Sequence, residues 1–102
     1  MLDSERVLIG MIELSTKGLK HIETQQTDLN RVQVFYNRDD YSELLCQIQI
    51  IPGSIICIRE HFFGPVVMKF DIRNPNSVSE IRSYIKRLSR YHQEIFKERT
   101  YG

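Results

Sequence analysis

The chain has 102 residues, 41% hydrophobic and 26% charged, with a formal net charge of +1. That length admits one domain, 1–102, and excludes two. The composition excludes global disorder, and two cysteines are too few for a disulfide-dense secreted scaffold.

Charge is unevenly spread. Residues 1–51 carry five Lys/Arg against eight Asp/Glu, and residues 52–102 carry nine against five. Such asymmetry steers an anionic partner or reflects a fold whose halves complement each other. The N-terminus, Met1-Leu2-Asp3-Ser4-Glu5, lacks the basic start of a signal peptide. Val7–Ile12 is too short to cross a bilayer, and no later run is long enough. A cytoplasmic location and no membrane insertion are the resulting expectations.

In chain order, Val7, Leu8, Met11 and Ile12 suit a helix starting at Ser4, with Gly18 near its end as a C-cap. The same run suits a buried strand; the helix is the preferred reading. Leu19 to Gln26 is then a strand and Thr27-Asp28-Leu29-Asn30 its turn. Arg31 to Asn37 alternates as a strand does, and Asn37-Arg38-Asp39-Asp40 is a turn. Tyr41 to Ile51 fits a strand face through Ser42, Leu44, Cys46, Ile48 and Ile50, or a helix carrying Tyr41, Leu44, Leu45 and Ile48. A long strand is preferred, because its end must feed Pro52-Gly53.

Pro52-Gly53 and Gly64-Pro65 then mark two hairpins. Two-residue loops place Glu60 opposite Lys69, Cys57 opposite Ile72 and Arg59 opposite Phe70. One face then collects Ile48, Ile50, Ile55, Cys57, Met68, Phe70 and Ile72 as the core. Ile51, Ile56, Ile58 and Val67 fall on the other face and need a cover.

Asn74-Pro75-Asn76 breaks the chain, and Ser77-Val78-Ser79-Glu80 fits a capping box. Ile81, Tyr84, Ile85, Leu88, Tyr91, Ile95 and Phe96 form one apolar stripe on a helix from Ser77 to Lys97. The whole predicts an α+β domain: a short N-terminal helix, an antiparallel meander of four or five strands, and a long C-terminal helix packed on it.

Catalytic, cofactor and metal patterns are not found. His21, His61, His92, Cys46 and Cys57 lack the spacing of a metal site. Cys46 and Cys57 fall on one face of the expected hairpin, where two small buried hydrophobes is the ordinary reading. His61 adjoins Glu60 on a strand, so the two point to opposite faces. His92 lies on or beside the apolar stripe and fits a packed ring. Asp39 and Asp40 fit turn chemistry. An enzyme would need His21, Asp39 and His61 to converge, which spacing does not indicate.

Two surfaces stand out. Arg82, Lys86, Arg87 and Arg90, with Lys97 and Arg99 beyond, lie on the polar side of the last helix. They suit a solvated face or an anion such as nucleic acid. Phe62 and Phe63 at the second hairpin, with Ile56 and Ile58 on the spare sheet face, suit a protein partner or self-association. The expected function is a non-enzymatic protein–protein interaction module, a small regulatory or accessory protein. The alternative is a nucleic-acid-binding domain using the basic helix face.

Overall fold

Breakers and alternation divide the chain as the residues dictate. The computed structural model describes residues 3–28, 30–60 and 64–101. Within them run α1 (Asp3–Thr16), β1 (Ile22–Asp28), β2 (Arg31–Arg38), β3 (Tyr41–Ile51), β4 (Ile55–Arg59), β5 (Val66–Asp71) and α2 (Ser77–Tyr101). The five strands form one antiparallel meander in the order β1-β2-β3-β4-β5. This is the expected α+β architecture, including a helical N-terminal segment and a stranded 41–51.

α1 buries Leu8, Met11, Ile12 and Ser15, which share one face by the helical repeat. It stops at Gly18, whose φ of +78° suits a residue without a Cβ, and Leu19 N–H donates to the Thr16 carbonyl at 3.1 Å. α2 begins at Ser77 and runs 25 residues, four beyond the expected Lys97. At 1.5 Å per residue it is about 37 Å long, and the whole molecule extends 47 Å along its longest axis.

The expected capping box is not what starts α2. Ser77 is buried, and its hydroxyl donates back to the carbonyls of Asn74 at 2.9 Å and Asp71 at 3.2 Å. The Asn74 side chain accepts from Asn76 N–H at 2.9 Å, and the Asn76 carbonyl takes the Glu80 amide at 3.0 Å. The Asx turn before the helix replaces the reciprocal Ser–Glu bond.

Both helices lie on one side of the sheet. Under them Val32, Val34, Tyr36, Cys46, Ile48, Ile50, Ile56, Ile58 and Phe70 pack with Ile81, Tyr84 and Ile85 into one core. The expected register is corrected here. Ile51 pairs with Ile55, so the first turn holds Pro52, Gly53 and Ser54, with Gly53 at φ +91° and Ser54 at +63°. Three turn residues instead of two shift β4 by one position. A one-residue slip turns every side chain over. Ile56 and Ile58 therefore enter the core at 0% exposure, while Ile55 and Cys57 face away from the helices. Cys57 pairs with Lys69, not Ile72, and Arg59 pairs with Val66, not Phe70, across a longer connection with a bulge. Cys46 and Cys57 consequently lie on opposite faces, and both are free and buried.

A second bulge resolves the mixed pattern of 41–51. Val34 pairs with Cys46 and Phe35 with Leu44, which leaves Leu45 as the extra residue. Tyr41 and Leu45 before it, and Cys46, Ile48 and Ile50 after it, are all buried beneath the helices. Leu44 is turned to the other side, opposite Phe35.

Candidate functional site: the uncovered sheet face

The side of the sheet away from the helices is built from the odd positions of β2 and their partners. Arg31 pairs with Gln49, Gln33 with Gln47, and Phe35 with Leu44. Gln47 in turn pairs with Arg59, Gln49 with Cys57, and Cys57 with Lys69. Among the described residues no helix or strand packs over this side. It carries glutamines and cations beside Phe35, Leu44, Ile51 and Ile55, which are half-buried. An antiparallel sheet can leave one face to water when that face is polar enough.

Gln47 is the unusual member. It is 3% exposed at the middle of the face, and its Oε1 has no hydrogen-bond partner among the described residues. A buried acceptor left unmade costs about 1–3 kcal/mol, so such groups are uncommon. Next to it, Arg59 donates to Gln49 Oε1 at 3.3 Å, which holds two long side chains flat across β3 and β4. At the rim, Arg73 grips Asp71 through Nε and Nη2 at 3.0 and 2.7 Å. Those bonds hold the Asp71 carboxyl down at about 2.

The expected basic stripe is partly withdrawn. Arg82 is half-buried and spans to α1, donating to the carbonyls of Lys17 at 2.6 Å and Ser15 at 3.4 Å. It is corrected from an anion-binding residue to a cap of α1. Lys86, Arg87 and Arg90 remain exposed. The Arg87 guanidinium sits 5.4 Å from the Tyr84 ring centre, and Tyr84 donates to Glu60 at 2.9 Å. Glu94 pairs with Lys97 at 3.7 Å.

Of the expected partner-binding residues, Ile56 and Ile58 are enclosed in the core and unavailable to a partner. Phe62, Phe63 and His61 lie outside the described residues. The apolar spare face was a consequence of the two-residue turn; the true spare face is mixed, with Ile55, Cys57 and the glutamines. The alternation of Gln33, Gln47 and Gln49 with buried aliphatics was the available signal.

A second cluster joins α2 to the β2–β3 hairpin. Tyr41, buried, shares a hydrogen bond of 2.7 Å between its hydroxyl and Nδ1 of His92. Burial holds His92 below its usual pKa and Tyr41 above its own, which favours the neutral form of both groups. Tyr36 stacks on His92 at 6.3 Å and meets His21 at 5.7 Å. Arg38 lies 4.3 Å over the Phe96 ring and Arg99 lies 5.5 Å over Tyr41. Beside them Asp40, Tyr41, Phe96 and Arg99 line an open cleft of about 320 Å³. Its two charged residues are of opposite sign, and the Tyr–His pair spends its polar atoms on each other. Asp39 stays in the β2–β3 turn with φ +55°. Among the described residues no three His, Cys, Asp or Glu side chains gather as a metal site, and no helix is long and apolar enough to cross a membrane.

The fold and its bare face define an open-faced, two-layer α+β protein. Comparison with known protein families, with curated proteins and with solved structures finds no match.

Proposed function

We propose that the chain is a non-enzymatic protein–protein interaction module, a small regulatory or accessory protein, that docks a protein partner on the uncovered sheet face. The observation that carries this reading is the middle of that face around Gln47, over which no helix or strand packs among the described residues. Around it Phe35, Leu44 and Ile55 supply apolar contact, and Gln33, Gln49 and Arg59 supply a hydrogen-bonding rim. That mixture suits a non-obligate interface, whose overall polarity resembles ordinary surface.

The exposed cations Lys86, Arg87 and Arg90 favour a second reading, nucleic-acid binding on α2. One comparison separates the two. Affinity capture from the cell extract is run with and without nuclease, using the wild-type chain, a Gln49→Glu/Arg59→Glu variant and a Lys86→Ala/Arg90→Ala variant. The docking reading expects a protein that survives nuclease and is lost with the sheet-face variant. Capture abolished by nuclease and by the α2 variant transfers the function to nucleic acid. Capture unchanged by the sheet-face variant overturns the location.

A further inference from the structure

We infer that two copies of this chain associate through their β1 edges, antiparallel, with the dyad at Thr24, to form one continuous ten-stranded sheet. This surface is separate from the face proposed above and stands without it.

Among the described residues β1 is an outer strand, bonded only to β2. Asn37 N–H donates to the His21 carbonyl at 2.8 Å. In an antiparallel pair, bonded and non-bonded pairs alternate. With Ile22 opposite Tyr36 and Thr24 opposite Val34, the backbone N–H and C=O of Ile22 and Thr24 therefore point away from β2, along the open edge. Residues 23–28 of the strand are exposed throughout.

The two edges of the sheet differ. β5 is guarded by Pro65 just before it, by a bulge beside Arg59, and by Lys69 in its middle. Proline, bulges and lysine are the devices that keep an edge from pairing. β1, Ile-Glu-Thr-Gln-Gln-Thr-Asp, carries neither Lys nor Pro, and its bulge falls only at its far end, between Gln26 and Asp28. The regular stretch is Ile22–Gln26, and Thr24 is its centre.

That centre makes the strand complementary to itself. About the Thr24 dyad, Ile22 lies opposite Gln26 of the second copy, Glu23 opposite Gln25, and Thr24 opposite Thr24. Acidic Asp28 meets the Lys20–His21 end, and does so twice by symmetry. No like charges face each other, and opposite-charge and Thr–Thr pairs are among the favourable cross-strand pairs. A dyad one residue further on would instead set Ile22 against Asp28. Three bonded pairs in the chosen register exchange about six backbone hydrogen bonds. Such an isologous contact closes after two copies, because each copy brings only one unguarded edge.

The test is light scattering on the full chain across the micromolar range. The wild-type mass is expected to rise from one chain to two. Thr24→Pro removes an N–H that points away from β2, so it leaves the β1–β2 ladder whole while blocking the edge. It should weaken association at least about tenfold. Thr24→Cys gives a second measurement that does not depend on proline being tolerated. A short bis-maleimide should join two such chains, because the new thiols face each other at the dyad, whereas Cys46 and Cys57 are buried. Lys69→Cys, on the guarded edge, should not be joined. A mass of one chain at every concentration overturns the inference. So does a dimer that Thr24→Pro leaves unchanged and Thr24→Cys fails to cross-link, and so does a dimer dissolved by Gln49→Glu/Arg59→Glu, which would place the contact on the open face.

Discussion

Arg82 supplies to α1 what that helix lacks. The last turn of α1 carries no basic residue, yet a helix C-terminus presents unpaired carbonyls and a partial negative charge. The guanidinium of Arg82 reaches across from α2 to the Ser15 and Lys17 carbonyls. It thereby caps one helix and ties it to the other. Arg82→Ala should lower stability by about 1 kcal/mol, since charge-assisted bonds at a partly exposed site are worth less than buried ones. Lys86→Ala and Arg90→Ala should each stay within about 0.5 kcal/mol, as ordinary surface changes do. Urea unfolding of the three variants checks the order.

His92 gives the same scale a pH dependence. Burial holds its pKa below the usual 6.5, so the unfolded chain binds a proton more readily than the folded one. The contribution to stability is complete above that unfolded value and is lost as the pH falls through the folded one. Unfolding midpoints in urea should therefore drop between about pH 7.5 and 5. His92→Gln should flatten that drop by removing the group that titrates. If the variant keeps the full slope, carboxylates rather than His92 govern it.

Register decides at the scale of the element. β4 is a run of aliphatics, Ile55-Ile56-Cys57-Ile58, in which period alone cannot say which residues face inward. The three-residue turn decides it, and an ideal two-residue turn gives the opposite answer. Ile58→Ala should cost about 2–4 kcal/mol, as a deletion in a filled core does. Ile55→Ala, on the half-exposed side, should cost less than about 1 kcal/mol. Equal costs would contradict the face assignment. Helix ends and strand existence were legible because Gly18, Asn74-Pro75 and strict alternation act locally. Turn length was not, because Ser54 accepts a positive φ that its side chain does not announce. Ile56 and Ile58 were misplaced for that reason, and Phe35 and Gln47 went unnoticed as a site.

For the whole molecule, two helices on one side of five strands leave unequal faces and unequal edges. The apolar stripe of α2 was visible in the sequence and does cover the sheet, with Ile81 and Ile85 fully buried. The bare face could be recognised only after the register was known, since glutamine is as common in turns and helices as on an open sheet. The Tyr41–His92 contact joins residues 51 positions apart, which spacing does not reveal. It pins α2 to the β2–β3 hairpin at the end opposite Arg82's hold on α1.

Leu45 sets the phase of the longest strand. Up to and including it the strand reaches the helices on odd numbers, Tyr41 and Leu45, and behind it on even numbers, Cys46, Ile48 and Ile50. A strand of the same length without the bulge could not bury both sets, because facing one inward would turn the other outward. A chain shortened by that single residue would instead alternate regularly, and should keep both the tyrosine–histidine latch and the isoleucine row beneath the helices at the loss of one core leucine.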